Sequence, residues 1–331
     1  MRFIRGLDCA GPCNPRGTVV AMGNFDGVHL GHASILSSVV KRASDLGLES
    51  CFLSFHPHPL RVVAPERAPG MLQTIEEKIF SLSLFEPDYV VVVPFTWQFS
   101  QTPANEFISR YLQQALGCRE LHVGGDARFG RRREGDVEML RAASSIGAFG
   151  LTVHDDVMVR GSRVSSSRIR RAVIEGDIAE AGDCLGRPWT IAGEVVTGAS
   201  RGRRIGFPTA NIAPDGNLLP SGGIYAALTT IGSSVHPVAV HIGPVPTFDV
   251  KSPMVEAHIS GWSADLVGKR LRIHLLSRIR GARKFDVVED LARQIADDVR
   301  LTSEMVSSML DRRDSIAYKI ARFDPEGGDC W

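Results

Sequence analysis

Two histidines spaced three residues apart give a clear chemical signal near the start of the chain. The stretch His29-Leu30-Gly31-His32 follows the apolar run Thr18–Met22 and the turn Gly23–Gly27. Histidines at positions i and i+3 share one helix face, and the free N–H groups at a helix N-terminus favour an anion. Gly27 and Gly31 let a phosphate approach the backbone closely. The pattern predicts a nucleotide triphosphate site, whose imidazoles stabilise charge developing at phosphorus. Without the preceding strand and glycine-rich turn, two histidines at this spacing would be equally typical of the exposed face of an amphipathic helix.

A second polar cluster, Arg163–Arg170, has the composition of a phosphate-binding helix start. Hydroxyls such as those of Ser166 and Ser167 cap a helix N-terminus and donate to phosphate. The guanidinium groups of Arg163 and Arg170 bind phosphate oxygens in a forked geometry. Alone, the segment indicates an N-capped amphipathic helix. Together with the histidine pair, it predicts the other wall of an ATP site.

Alternating strands and helices in the first half must position these groups. Gly47 closes the amphipathic helix that follows His32, and Thr74 with Glu77 forms a capping box ahead of another helix. This rhythm predicts a parallel, doubly wound sheet, on which ligands bind beyond the carboxyl ends of the strands. The predicted strands are Thr18–Met22, Cys51–Phe55, Tyr89–Pro94, Leu121–Gly124 and Leu151–His154.

The second half changes character near Leu185–Pro188. Short strands without intervening helices predict a small antiparallel barrel. A helical pattern starts at Asp286, and four apolar residues farther on predict an additional helix: Met305, Met309, Ile316 and Ile320. The strands are expected between residues 189 and 276, at Tyr225–Ile231, Val235–Val240, Val255–Ser260 and Arg270–Leu276 among others. The predicted division is 1–185, 186–310 and a C-terminal helical extension or tail, 311–331.

Composition excludes several classes of protein. The 331 residues carry a formal net charge of +1, and 44% of them are hydrophobic, which is ordinary for a globular protein. No overall field favours nucleic acid or an anionic membrane, and no apolar run reaches the ~20 residues of a spanning helix. Six scattered cysteines indicate thiols in a reducing cytoplasm. We expect a monomer or weak homo-oligomer with neither nucleic acid nor membrane as partner.

Six ordered motifs resemble those of the prokaryotic bifunctional riboflavin kinase/FAD synthetases. His56 stands where an acidic residue is usual, and Ser167 replaces a usual threonine. The motifs are Gly23–His32, Ser54–Pro59, Val123–Gly130 followed by Gly135-Asp136, Val164–Arg170, Arg201–Asn211 and Lys284–Asp286.

The resemblance implies a nucleotidyltransferase-like α/β domain followed by the barrel domain and its C-terminal helix. The first domain would transfer AMP from ATP to FMN, giving FAD and pyrophosphate, with His29 and His32 as catalytic residues. Asp126 would lie near FMN or the nucleotide. The groups expected to bind ATP in this domain are Gly23, Phe25, Asp26, Gly27, Gly31, His58, Pro59, Arg163, Ser166, Ser167 and Arg170.

The second domain would phosphorylate riboflavin with ATP. The hydroxyl of Thr209 and the amide oxygen of Asn211 are hard ligands that suit Mg²⁺. Glu256 matches the catalytic base of the family and would accept the proton of the riboflavin 5′-hydroxyl. Without the preceding motif it would be an ordinary exposed carboxylate on a strand. The residues expected to bind ATP here are Gly198, Arg201, Gly202, Gly206 and Pro208.

The kinase half departs from the family at His241 and Val245, where asparagine and arginine are usual. We therefore expect a weaker kinase step. The alternatives are an FAD synthetase with a degenerate kinase module, an adenylyltransferase for another phosphate ester, and a non-enzymatic binding protein. The intact Pro208–Asn211 motif and Glu256 favour the bifunctional enzyme, with riboflavin, FMN and ATP as small-molecule partners.

Overall fold

The computed structural model describes residues 1–7, 16–198, 202, 205–243 and 255–310. The chain forms two compact units, Met1–Ser165 and Ser166–Trp331. The domain boundary between residues 185 and 186 stays a prediction. In the described parts of both units, every helix is too short or too polar to cross a bilayer.

The first unit contains a six-stranded, all-parallel sheet with the order β1-β4-β3-β2-β5-β6. The chain runs outward from β2 through β3 to β4, and then continues on the other side of β2 with β5. The gap between β2 and β5 is therefore the point at which the strand order reverses. The strands are β1 Arg2–Arg5, β2 Thr18–Met22, β3 Glu49–His56, β4 Tyr89–Pro94, β5 Cys118–Gly124 and β6 Gly150–His154.

Helices cover both faces of this sheet, because successive strand residues point to opposite sides. Val19 and Ala21 pack with the apolar stripe of α1, whereas Val20 and Met22 join the core on the other face. The helices are α1 Leu30–Leu46, α2 Pro59–Val63, α3 Ile75–Ser83, α4 Trp97–Ser100, α5 Ala104–Glu106, which continues as a π-helix over Phe107–Ala115, and α6 Val137–Ser145. Short 3₁₀ turns lie at Pro65–Arg67 and Arg131–Arg133, and a hairpin joins β7 Met158–Val159 to β8 Ser162–Arg163.

The second unit is a closed, antiparallel, six-stranded barrel with the order β10-β13-β12-β11-β14-β9. Two helices precede it, α7 Ser166–Glu175 and α8 Ile178–Leu185, and α8 packs against β9 and β14. The strands are β9 Trp189–Val196, β10 Ala210–Pro214, β11 Gly223–Ile231, β12 Ser234–Ile242, β13 Val255–Ile259 and β14 Arg270–Arg280. The predicted fold class, a doubly wound α/β domain followed by an antiparallel barrel, is confirmed.

The C-terminal helix Val288–Leu310 packs across β11 and β12. Val306 fills an apolar cluster with Leu228, and Arg280 donates in a forked geometry to the buried carboxylate of Asp298. Met305 and Met309 belong to this one continuous helix, so their assignment to an additional helix was wrong. Ile316, Ile320 and the rest of the predicted extension 311–331 lie outside the described residues.

We expect His274 on β14 to make the barrel sensitive to acid. Burial lowers its pKa to about 4, and the Thr190 hydroxyl lies 2.8 Å from its Nδ1. Its pKa in the unfolded chain is about 6.5, so the stability from the neutral ring is complete above pH 6.5. That stability declines by up to about 3 kcal/mol as pH falls towards 4.

Urea unfolding of the full chain at several pH values, followed by tryptophan fluorescence, measures this effect. His274→Gln keeps a polar side chain that does not titrate, so its stability should vary less over this range. An equal loss of stability in both proteins would assign the acid sensitivity to other groups.

Candidate active sites

The turn between β2 and α1 lies at the point where the strand order of the parallel sheet reverses. Ligands of doubly wound sheets bind at this place. Phe25, Gly27 and Val28 have positive φ angles of 47°, 89° and 38°. A side chain at position 23 would meet the Phe25 ring at 2.9 Å, so glycine is needed there. The turn therefore brings the chain sharply from the end of β2 into α1.

His29 and His32 stack on each other at the start of α1. Their ring centroids lie 3.6 Å apart, with an interplanar angle of 15°. His29 is the N-cap residue, and its Nδ1 accepts from the backbone N–H of His32 at 3.3 Å. A Cβ at position 31 would contact the His29 ring at 3.1 Å, which explains the glycine between the histidines. The first turn of α1 carries no acidic side chain, so its positive end is not neutralised there.

The acceptor role of Nδ1 has a chemical consequence for His29. A neutral imidazole whose Nδ1 accepts a hydrogen bond carries its proton on Nε2. The ring is then oriented as a hydrogen-bond donor through Nε2, which suits a phosphate oxygen. His32 is additionally held by the Phe25 ring, which meets it edge-on at a centroid distance of 5.3 Å.

Asp26 and His58 occupy local structural positions close to this turn. The Asp26 carboxylate is buried and accepts from the backbone N–H of Leu72 at 3.2 Å. His58 is the N-cap of α2, with Pro59 at the first helical position, and its Nδ1 accepts from the N–H of Leu60 at 3.2 Å. Both side chains thus shape the backbone beside the site, and their contact with ATP stays a prediction.

Asp126 and Arg163, two residues of different sequence motifs, form an ion pair. Arg163 donates through Nη2 to Asp126 at 2.6 Å and lies 2.9 Å from Asp156 through Nε. The guanidinium therefore bridges two exposed carboxylates beyond the ends of β5 and β6. A phosphate that uses this arginine would have to replace or join these carboxylates.

The remaining residues of the first predicted site begin α7, in the second compact unit. Ser166 and Arg170 are half-buried and Ser167 is exposed. Within the same segment Arg168 pairs with Glu180 of α8 and so fixes the two helices together. The assignment of Ser166, Ser167 and Arg170 to ATP stays a prediction.

In the barrel, Asn211, Glu256 and His241 lie side by side on three neighbouring strands. Glu256 of β13 is in register with Asn211 of β10 on one side and with His241 of β12 on the other. Flanking residues such as Val255 and Ala257 are fully buried, whereas these three are half-exposed, so the row faces outward from the barrel. His241 Nδ1 is 3.5 Å from Glu256 Oε2. A potential metal ligand, a carboxylate base and a titratable ring are thus adjacent.

Two glycines bring backbone against the predicted metal ligands. A Cβ at position 198 would overlap the Asn211 amide, and one at 202 would overlap the Phe207 carbonyl and lie 3.3 Å from the Thr209 hydroxyl. Gly206 has a positive φ of 87°. Arg201 lies outside the described residues, as does Val245.

A cavity of about 160 Å³ opens beside these residues. One wall contains Gly198, Pro208, Thr209 and Asn211, and the other contains the loop 262–267. The Pro208 carbonyl lies 2.9 Å from Nδ1 of His258, which fixes the start of the segment. Four residues predicted to bind ATP or metal in the kinase half therefore line a single cavity.

The residues present fit Mg²⁺ as an ion that substrate helps to bind. Thr209 and Asn211 offer neutral oxygens, and both residues line the cavity. Among the described residues no group of three or more His, Cys, Asp or Glu side chains could hold a metal by itself. Mg²⁺ commonly binds to few protein ligands and completes its shell with water and substrate phosphate.

Sequence reasoning missed the loop 262–267 as a wall of the cavity. Trp262 donates through Nε1 to the carbonyl of Ala264, and Asp265 accepts from the N–H of Val267, so the loop is held by its own side chains. The sequence shows only that this stretch connects two predicted strands, Val255–Ser260 and Arg270–Leu276, and the fold is needed to show which cavity it lines.

In comparisons with known proteins, family models for two different activities match the two halves of the chain. The family model for FAD synthetase matches residues 12–168, and that for riboflavin kinase matches residues 185–306. The bifunctional riboflavin kinase/FMN adenylyltransferase of Escherichia coli K12 is 35% identical over 299 residues, covering 90% of this chain and 96% of that protein. The protein of the same description from Haemophilus influenzae is 33% identical over 311 residues, covering 93% and 100%.

A solved structure supports the fold over most of the chain. It is described as a macrolide-efflux protein from Streptococcus pneumoniae, with a TM-score of 0.83 and 28% identity, covering 92% of this chain and 99% of that chain. Its description names a different activity from that of the two family models, so the likeness is taken for the fold. From the two family models and the relatives that match nearly end to end, the chain belongs to the family of bifunctional riboflavin kinase/FMN adenylyltransferases.

Proposed function

We propose that this chain makes FAD from riboflavin in two ATP-dependent steps at two separate sites. The second unit transfers the γ-phosphoryl group of ATP to the riboflavin 5′-hydroxyl, giving FMN and ADP. The first unit transfers AMP from a second ATP to FMN, giving FAD and pyrophosphate. The observation that carries the proposal is the presence of an FAD synthetase domain, which contains His29 and His32, and a riboflavin kinase domain, which contains Asn211 and Glu256.

In AMP transfer, an oxygen of the FMN phosphate attacks the α-phosphorus of ATP. The bond between that phosphorus and the oxygen bridging to the β-phosphate breaks, and pyrophosphate leaves. His29 donates through Nε2 to a phosphate oxygen as charge develops, and the N-terminus of α1 stabilises the same charge. His32, stacked on His29, keeps that ring in place and faces the same anion. Arg163 and Asp126 hold the phosphates or FMN at the adjoining strand ends.

In riboflavin phosphorylation, Glu256 accepts the proton of the 5′-hydroxyl as the hydroxyl oxygen attacks the γ-phosphorus. The bond between that phosphorus and the oxygen bridging to the β-phosphate breaks, and ADP leaves. Asn211 and Thr209 would hold Mg²⁺, which supplies neutralisation of the phosphate charge when bound. Gly198, Gly202 and Gly206 let the backbone approach the phosphates, with Arg201 as an additional cation. His241 lies next to the base, with its Nδ1 3.5 Å from Glu256 Oε2.

One assay tests the whole assignment. The protein is incubated with riboflavin, ATP and Mg²⁺, and riboflavin, FMN and FAD are separated by chromatography over time. FMN should appear first and FAD second. FAD formation from supplied FMN without any FMN from riboflavin would replace the proposal with the alternative of a degenerate kinase module.

Substitution of the two metal ligands should separate the reactions. Thr209→Ala and Asn211→Ala are expected to lower riboflavin phosphorylation by about 10- to 100-fold at limiting Mg²⁺, because each removes one oxygen ligand. AMP transfer to supplied FMN should continue at the wild-type rate, since none of the residues proposed for that reaction lies in the barrel. The measurement is the Mg²⁺ dependence of both rates. Equal loss of both activities in a folded variant would indicate one shared site.

The proposal places the enzyme in a reducing cytoplasm as a monomer or weak homo-oligomer. Among the described residues, Cys51, Cys118 and Cys184 are buried thiols that form no disulfide. Burial raises the pKa of the Cys118 thiol, which keeps it protonated and unreactive. Buried thiols of this kind are usual in a reducing compartment.

A further inference from the structure

The turn that leads into α1 has a backbone that needs support from its surroundings. Phe25 and Val28 both have φ angles in the left-handed region, at 47° and 38°, where side chains are unfavourable. Val28 is β-branched, for which this conformation is a genuine outlier. Such conformations persist only where surrounding contacts determine them. The groups that hold this turn therefore affect where His29 and His32 lie.

Lys78 of α3 is a charged side chain that reaches this turn from outside it. It is 2% exposed, and its Nζ donates to the Asn24 carbonyl at 2.8 Å and to the Phe55 carbonyl at 3.5 Å. Asn24 comes two residues after β2 ends, and Phe55 lies near the end of β3. Ser54 also donates to the Asn24 carbonyl, at 3.1 Å. One buried ammonium thus bridges the ends of two adjacent strands beside the site.

The helix that carries Lys78 is itself fixed at its start. Thr74 and Glu77 form a reciprocal capping box, with hydrogen bonds of 2.9 and 3.2 Å between side chain and backbone. The helix thereby begins at a defined residue, and Lys78 lies in its first turn. A buried charge is costly unless it is hydrogen-bonded, and here the ammonium is satisfied by the carbonyls of Asn24 and Phe55.

We propose that Lys78 is a positioning residue for AMP transfer: its ammonium holds the Asn24 carbonyl, and through it the strained turn that presents His29 and His32 to the nucleotide. The inference rests on the proposed function of the histidine pair. Lys78 acts through the backbone, since its two acceptors here are carbonyl oxygens of the protein.

The charge of Lys78 gives this role a measurable pH dependence. Burial lowers its pKa to about 8, and the Asp26 carboxylate on the turn opposes that shift. The pKa of His56 on β3 is lowered by burial and, after it, by the charge of Lys78. The ammonium is present at pH 7 and largely lost at pH 9, and charge-assisted hydrogen bonds are stronger than neutral ones. FAD formation should therefore decline as pH rises through about 8.

Protein stability should not follow the same course. The pKa of Lys78 in the folded protein is below that of an unfolded lysine, about 10.4. Between these values the unfolded chain binds more protons, so the contribution of Lys78 to stability rises with pH. A decline in activity above pH 8 that is not accompanied by unfolding is thus specific to the positioning role.

The test uses the full-length chain with Lys78→Met, which removes the charge while keeping a long side chain. Lys41→Met is the matched control, because Lys41 is an exposed lysine of α1. FAD formation from supplied FMN is measured between pH 6.5 and 9.5, with riboflavin phosphorylation as an internal reference. Lys78→Met should lower kcat/KM for ATP at pH 7 by about 10- to 100-fold, and its profile should lack the decline near pH 8. Lys41→Met should retain both the rate and the profile of the wild type.

Circular dichroism and thermal unfolding would reveal whether Lys78→Met fails to fold in the first unit. A second variant tests the proposal in that case. Lys78→Arg keeps a charge that does not titrate in this range; it should show partial activity without the decline near pH 8. A wild-type rate in Lys78→Met, or the decline near pH 8 retained in either folded variant, would overturn the proposal. If His29→Ala leaves FAD formation intact, the proposed AMP-transfer site itself is wrong. If His29→Ala loses FAD formation and Lys78→Met retains it, only the positioning role of Lys78 is wrong.

Discussion

His29→Asn should lose FAD formation from FMN by about 100- to 1000-fold while the protein stays as stable as the wild type. Asparagine caps a helix N-terminus well, so its side chain can replace the Nδ1 that accepts from the N–H of His32. It is too short to place a donor where Nε2 lies. Removal of one donor to a developing oxyanion has an effect of this size. The substitution therefore separates the phosphate role of His29 from its capping role.

His29→Ala is the companion variant in this experiment. It should lose the same activity and also about 1 kcal/mol of helix stability, because the cap is gone. Steady-state FAD formation and urea unfolding are measured for both variants, and riboflavin phosphorylation serves as the control. If both kept wild-type FAD formation, the histidine pair would have no part in AMP transfer, whatever their effect on stability.

Glu256→Gln should lower riboflavin phosphorylation by about 100- to 10,000-fold, the range expected for loss of a general base. The amide has nearly the shape of the carboxylate but cannot accept the proton of the 5′-hydroxyl. Its neighbours Asn211 and His241 remain in register on β10 and β12, so the geometry of the row is preserved. The loss should appear in kcat, since binding of ATP does not depend on the base.

Glu194→Gln is the matched control, because Glu194 is an exposed carboxylate on β9 of the same barrel. It should phosphorylate riboflavin as the wild type does. AMP transfer to supplied FMN should be unaffected in both variants. A Glu256→Gln variant with wild-type kcat for riboflavin would show that another group accepts the proton.

The sequence predicted those parts of the fold that depend on local pattern. The valine run Tyr89–Pro94 is a strand buried on both faces and was recognisable from its β-branched residues. Gly47 ends α1 in the left-handed conformation, as its position after the apolar stripe indicated. The capping box of Thr74 and Glu77 is likewise present. Each of these features is determined by residues close together in the chain.

Other features depend on contacts distant in sequence and could not be predicted. The four residues of β1 have no alternating pattern and become a strand by pairing with β4, almost ninety positions away. Lys78 gave no signal in the sequence, because its role depends on two carbonyl groups from different strands. The alignment of Asn211, Glu256 and His241 requires the register of three strands. The π-helix over Phe107–Ala115 has the same apolar face as an ordinary helix.

The pairing of β1 with β4 also bears on solubility. Strand β4 contains four consecutive valines, and β1 covers the backbone groups that this strand would otherwise present at the edge of the sheet. β1 itself is short and has Arg2 and Arg5 at its two ends, and such charged, short edge strands resist pairing with other molecules. Detachment of β1 would leave a hydrophobic β-branched segment open to intermolecular strand addition. The described strands of the barrel close on one another and present no comparable edge. Aggregation of this protein should therefore begin in the parallel sheet, at β4, before the barrel is involved.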